Sequence, residues 1–232
     1  MTSEAADRVI ELYERHAGAW SRDRGDRLVE QEWLDRFLAL LPCDASVLDV
    51  GCGSGVPARY LIEKGCRLTG VDSSTNMITM CRNHFPQQDW HVADMRTLIL
   101  KWTFDGILAW DSFFHLPPAD QRRMFAVFKR HAASGAALMF TSGPSHGERI
   151  GAYRGEPLYH ASLDSGEYRS LLESQGFEVA AHVIEDPTCE LRTIWLARLE
   201  QSGVMSTLAK RPHRSVQPTQ GHEKTPRIDF PS

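Results

Sequence analysis

Three stretches of this 232-residue chain hold residues whose types and spacing could do chemistry. The first is Val47-Leu48-Asp49-Val50-Gly51-Cys52-Gly53-Ser54-Gly55, an apolar run that ends in three glycines on alternate positions. Glycines there let the chain turn tightly and let a ligand approach bare backbone. A helix opening behind them would aim unpaired N–H groups and a positive dipole end at an anionic or strongly polar group. The second is Asp72, which closes the next apolar run, where a carboxylate can accept two hydrogen bonds from a ribose diol. Its plain alternative is a cap for the helix that starts near Ser74, although Ser73 and Ser74 already supply better caps. The third is Trp110-Asp111-Ser112-Phe113-Phe114-His115-Leu116-Pro117-Pro118. An imidazole such as His115 titrates near neutrality and can take a proton from a bound substrate. As structure alone it would cap the helix opening at Pro117 and Pro118, or pack under a sheet edge.

The elements that must position these groups follow from periodicity. Residues 8–20 and 27–41 read as helices, and in the second Leu28, Trp33, Leu34, Phe37, Leu38 and Leu41 recur at helical spacing before Pro42. From Ser46 onward, apolar runs at 47–50, 68–71, 90–93, 106–110 and 136–140 alternate with amphipathic stretches at 57–64, 74–84 and 118–133. That alternation predicts an α/β fold, a doubly wound and mostly parallel sheet with helices on both faces. Residues 142–162 hold several glycines and two prolines and read as a long loop, whose His146, Tyr153, Tyr159 and His160 would cover a substrate or simply line its wall. Asp164 with Glu167 marks a helix start, and Gly176 its end. Runs at 177–184 and 193–199, separated by Glu185-Asp186-Pro187, predict an antiparallel hairpin that completes a sheet of seven strands. Residues 201–232 carry scattered prolines and little apolar periodicity, and the expectation there is a disordered tail behind a domain spanning 1–200.

The spacing of the glycines separates two kinds of nucleotide site. A dinucleotide fingerprint places its third glycine one position later than Gly55, where this chain has Val56. The pattern D-x-G-x-G-x-G at Asp49, Gly51, Gly53 and Gly55 instead resembles the first motif of class I S-adenosylmethionine-dependent methyltransferases. Gly70-Val71-Asp72-Ser73-Ser74 is similar to that family's second-strand acid, Ala93-Asp94-Met95 to its third-strand turn, and the run 104–111 to its fourth strand. The resemblance implies a Rossmann-like fold and S-adenosyl-L-methionine as cofactor. It assigns cofactor contacts to Asp49, Gly51, Cys52, Gly53, Gly55, Asp72, Ser73, Asp94, Met95 and Trp110, with Asp94 facing the adenine amino group. Tyr13 and Trp20 fit the Y-x-x-x-A-x-x-W form of an opening helix common in small-molecule methyltransferases, within a helical lid over residues 1–42. They would help to exclude water there; alternatively, they share a buried helix face.

The acceptor half is far less legible. Methyl transfer from a sulfonium needs orientation above all, and a general base only for a phenol, alcohol or protonated amine. His115 is the candidate base, and Asp111 would orient the acceptor or hold the cofactor's ammonium group. Trp90, Trp102 and Trp195 read as packing rather than as a cage for a quaternary amine.

Composition narrows the partners. A net charge of −4 argues against a nucleic-acid partner, and no [D/N/S]-P-P-[Y/F/W] tetrapeptide of the nucleic-acid amino-methylating enzymes follows the fourth strand. Five cysteines without a C-x-x-C pair predict reduced thiols, and ten histidines without an H-E-x-x-H spacing predict no metal. No apolar run approaches membrane-spanning length and the first residues lack a signal-peptide core, so the expected setting is the cytoplasm. The function these readings support is methylation of a small molecule. A cofactor-binding protein without transfer activity, and a protein or RNA methyltransferase, stand as alternatives; a nicotinamide-dependent oxidoreductase is disfavoured by the glycine spacing.

Overall fold

A computed structural model describes residues 2–201. The chain opens with helices α1 (Thr2–Asp7), α2 (Val9–Arg24) and α3 (Gln31–Leu38). Strand β1 (Ser46–Val50), α4 (Val56–Glu63), β2 (Arg67–Asp72), α5 (Thr75–His84), β3 (Asp89–Val92) and β4 (Phe104–Ala109) follow in strict alternation until β3. Helix α6 (Pro118–His131), β5 (Ala132–Ser142), β6 (Gly147–Tyr153), β7 (Glu156–Ser162), α7 (Ser165–Ser174), β8 (Phe177–Asp186) and β9 (Arg192–Leu199) complete the described chain.

Seven strands form one sheet in the order β3-β2-β1-β4-β5-β9-β8. Strands β1 to β5 pair in parallel, and β9 lies antiparallel to both β5 and β8, as the apolar runs predicted. Strict alternation sorts the side chains into two cores. Leu48, Val50, Ile107, Ala109, Leu138, Phe140 and Trp195 face one layer, with Phe125, Phe128 and Leu172 from α6 and α7 packed on them. Val47, Leu68, Leu108, Met139 and Ile194 face the other, covered by Trp33, Leu34 and Phe37 of α3 and by Ala58, Leu61, Ile78 and Cys81 of α4 and α5. A sheet covered on both faces places ligands at the carboxyl ends of its strands, near the reversal of strand order beside β1 and β4.

Three readings of the sequence are corrected. The stretch 142–162 is not a loop: β6 and β7 form a two-stranded antiparallel hairpin, joined at Arg154 and Gly155, both at positive φ (50° and 82°). Such a two-residue turn matches strand twist, and here an Arg takes the place of the usual Asn or Asp, which hides the signal. The helix expected over 27–41 spans only Gln31–Leu38, with Leu28 and Leu41 packed from the flanking turns. Glu185 and Asp186 belong to β8, and the turn is made instead by a short 3-10 segment, Pro187–Cys189. The tail expected over 202–232 lies outside the described residues.

Among the described residues no helix is long and apolar enough to cross a membrane.

Candidate active site

The glycine loop leaves β1 and enters α4 in the conformation its composition demands. Gly51, Gly53 and Gly55 have φ of 77°, 51° and 83°, a region that side-chain-bearing residues rarely adopt. At Gly51 space forbids a side chain as well, since an added Cβ would sit 2.4 Å from the Ser112 Cβ. At Gly53 the same direction is open, with nothing within 4 Å. The loop is tied back by the Gly51 and Cys52 amides, which donate to the Val71 carbonyl at 2.8 and 3.1 Å. It is tied sideways by the Gly53 amide, which donates to an Asp72 carboxylate oxygen at 3.0 Å.

Asp72 therefore sets the loop while remaining in the pocket wall. Its other oxygen accepts from the Ser74 amide at 2.8 Å, and Ser74, not Asp72, caps α5 by accepting from the Met77 amide. Burial raises the Asp72 carboxyl above its usual range, against the pull of those amides. Asp94 is clamped by Arg96, whose guanidinium reaches both carboxylate oxygens, and it caps the short turn over Met95.

Asp49 is the group with an unmet need. It is buried beneath the loop, and its Oδ2 has no hydrogen-bond partner. Burial first, then the charges of Asp72 and Glu30, push its carboxyl up to about 8. An ionised carboxylate placed there calls for a cation. The Trp110 indole N–H is buried and unpartnered in the same way.

One cavity of about 940 Å³ joins these groups. Its wall includes Asp49, Gly51, Cys52, Gly53, Asp72, Ser73, Asp94, Met95 and Trp110, together with Tyr13, Trp20, Asp111 and His115. Among the candidate residues Gly55 stands behind this wall, as the left-handed N-cap of α4. Helix α2 thus brings Tyr13 and Trp20 over the cavity, with their rings edge to face at 5.0 Å, and Trp20 in turn meets Tyr153 of the hairpin at 5.1 Å.

His115 follows β4 in a 3-10 turn and is held at both nitrogens. Nδ1 lies 2.7 Å from the Tyr159 carbonyl oxygen, which can only accept, so Nδ1 carries the hydrogen. Nε2 is then an acceptor, and the Tyr13 hydroxyl donates to it at 2.9 Å. Burial, and next the neighbouring His160, lower this imidazole to about 3. Burial likewise raises the Tyr13 phenol, helped by the charges of Asp111 and Asp72. The pair is a neutral hydroxyl aimed at a neutral imidazole, and His115 does not cap α6.

Asp111 lines the cavity with its carboxylate already paired. Its carboxylate receives Arg192 Nε at 2.8 and 3.1 Å and the Thr141 hydroxyl at 3.3 Å, while its backbone takes φ 46°. Arg192, at the start of β9, was not singled out from the sequence, and neither was the part-buried pair of Arg24 with Glu30. No local pattern marks an ion pair between positions 81 residues apart. Of the three tryptophans considered for a cage, Trp90 and Trp195 are buried in the cores and Trp102 stands exposed.

Comparison with known proteins agrees with this geometry. Residues 47–135 match the family model described as a methyltransferase domain. Trans-aconitate 2-methyltransferase of Azoarcus sp. is 35% identical over 106 residues, which cover 44% of this chain and 41% of that protein. Magnesium-protoporphyrin O-methyltransferase of Rhodobacter capsulatus is 30% identical over 116 residues, covering 47% and 50%. The chain thus aligns with about half or less of the length of these curated relatives. Among solved structures, the 1,6-didemethyltoxoflavin-N1-methyltransferase of Burkholderia thailandensis superposes with a TM-score of 0.69 at 19% identity, covering 87% of this chain and 91% of that one. The magnesium protoporphyrin IX methyltransferase of Synechocystis gives 0.66 at 18% identity, covering 84% and 97%. The glycine loop, the strand order and the matched segment agree: residues 47–135 are similar to a methyltransferase domain, and the chain shares the Rossmann-like fold of these solved methyltransferases.

Proposed function

We propose that this protein transfers a methyl group from S-adenosyl-L-methionine to a small-molecule acceptor. The observation that carries the reading is the unpartnered Oδ2 of buried Asp49 beside a glycine cradle that is open at Gly53. That pair fits a ligand that presents both a cation and polar edges to backbone. Bound S-adenosylmethionine supplies an electrophilic methyl group on its sulfonium. Asp49 would hold the ammonium group of its amino-acid end, and Asp72, already oriented by two amides, would accept from the ribose hydroxyls. Ser73, Asp94 and Met95 line the adenine end, and Gly51, Cys52, Gly53 and Trp110 the walls between.

Tyr13 and Trp20 exclude water from above. With the Tyr13 hydroxyl donating to His115, its oxygen keeps a lone pair for the acceptor or for polarised C–H groups, and no strong base is offered. The site therefore suits nucleophiles that arrive unprotonated, such as a neutral amine or a carboxylate. Residues 1–200 act as one unit in this reading, with residues 1–42 its cover and the cytoplasm its setting; neither DNA nor a membrane is a partner.

S-adenosylhomocysteine at 100 times its dissociation constant should add ~2.7 kcal/mol to unfolding, while NADH at equal concentration should add nothing. Label from methyl-labelled cofactor should then appear in a small metabolite of a cell extract. Stabilisation by NADH but not by the homocysteine product would overturn the cofactor assignment. Binding without label transfer would leave a binding protein.

A further inference from the structure

The hairpin that replaces the expected loop presents one face to the cavity. Its register pairs Gly147 with Ser162, Arg149 with His160 and Gly151 with Leu158, and all six line the cavity wall. Arg149 is thus flanked on its own strand, at two residues' distance on the same face, by glycines on both sides. At Gly147 nothing lies within 4 Å of where a side chain would begin, and at Gly151 the nearest atom is 3.7 Å away. On that face of the strand, neither neighbour of Arg149 carries a side chain.

Four arginines line this cavity, and three are neutralised. Arg24 pairs with Glu30, Arg96 with Asp94 and Asp120, and Arg192 with Asp111 and Glu190. Among the described residues Arg149 has no ion-pair partner. The acid next to it in sequence, Glu148, alternates to the other side of the strand, where burial first and then its charge raise the Tyr159 phenol. Across the strand pair, burial and then the Arg149 charge keep the His160 imidazole below its usual range, and that neutral ring meets Phe114 at 5.4 Å with only 31° between planes. An unpaired guanidinium fork beside a wall of two neutral rings is a receptor for a flat, anionic group.

Resting on the methyltransferase reading, we propose that the acceptor is a planar-ring molecule bearing an acidic group, anchored by Arg149 and stacked beside Phe114 and His160. Arg149 binds the acceptor's anionic oxygens and leaves the reacting atom to lie under Tyr13. The anion is a carboxylate or a phosphate, which an arginine fork accepts alike.

The test is ligand-observed NMR on the full chain saturated with S-adenosylhomocysteine, using benzoate against benzamide, nicotinate against nicotinamide, and phenyl phosphate. The acids should bind at least fivefold more tightly than their amides. Arg149→Gln should erase that preference and Arg149→Lys should restore part of it, with melting temperatures unchanged. Whether benzoate or phenyl phosphate binds better identifies the anion. Amides binding as well as acids, no acid binding at all, or a preference intact in Arg149→Gln would each overturn the proposal. Binding of S-adenosylhomocysteine is measured first in the same samples, so its absence refutes the cofactor reading separately.

Discussion

Replacing His115 by Gln tests the central electrostatic claim about the site. Gln can donate to the Tyr159 carbonyl and accept from Tyr13, as His115 does, but it does not titrate. The folded imidazole lies at about 3, against 6.5 for an ordinary one. A histidine lowered on folding contributes its stability in full above the unfolded value and loses it as pH falls from there towards the folded value. Unfolding linkage then takes up to ~1.4 kcal/mol per pH unit below about 6.5. Between pH 7.5 and 5.0 that integrates to ~2 kcal/mol from this residue alone, within a ceiling of ~5 kcal/mol. Burial also lowers His131, His160 and His182, so the wild-type slope is steeper than this one contribution. The difference between wild type and His115→Gln isolates it, since the other three are common to both. Urea titrations followed by tryptophan fluorescence at the two pH values give the difference directly. Equal pH slopes in the two proteins would refute the neutral, doubly bonded imidazole, and would return His115 to the role of a free base.

Three further outcomes follow from the same geometry. Asp49, at about 8 in the folded chain, is mostly protonated at pH 7, so capture of an ammonium group should release close to ~1 proton; calorimetry of S-adenosylhomocysteine binding in two buffers of different ionisation enthalpy measures it, and Asp49→Asn should abolish the release. Tyr13→Phe removes the donor to His115 Nε2, and the orphaned buried acceptor should cost ~1–3 kcal/mol by urea titration, with turnover falling more than cofactor affinity. Gly51→Ala places a methyl 2.4 Å from the Ser112 Cβ at φ 77° and should lose S-adenosylhomocysteine binding by thermal shift while destabilising the fold by ~1–3 kcal/mol.

The glycine loop and its acid were legible because their requirements are local. A turn at positive φ selects glycine wherever it occurs, and an acid at a strand end lies within one βαβ unit of the loop it serves. Asp49, Gly51, Gly53 and Asp72 could therefore be placed by counting. The opposite wall of the cavity is built from contacts that no window of sequence contains. Tyr13 reaches His115 across 102 positions, and Asp111 reaches Arg192 across 81. His115 could be flagged by its place after β4, but its tautomer is set by a carbonyl on β7 and a hydroxyl on α2, and its neutrality by burial, so its chemistry could not be read. The hairpin of β6 and β7 escaped because its pocket face is kept small by Gly147 and Gly151, the very residues that signal a loop. Its strands pair only with each other, so neither carries the unbroken apolar run of a central strand.

Helix α2 ties the two halves together, and the way it is held bears on how the site works. On the cofactor side Glu14 accepts from the Ser74 hydroxyl and the Asn76 amide. On the acceptor side Arg15 and His16 reach Glu156, and Asp23 receives Tyr153 and Arg154. Its apolar contribution is a small cluster, Val9 and Leu12 with Leu158, Tyr159 and Ala161, separate from both main cores. Exposed ion pairs of this kind add little to stability, and a segment with few buried apolar contacts opens at far lower cost than the sheet beneath it. Tyr13 and Trp20 of that segment line the cavity. Opening the segment parts Tyr13 from His115. The Tyr13–His115 bond thus depends on α2 resting against the hairpin and α5.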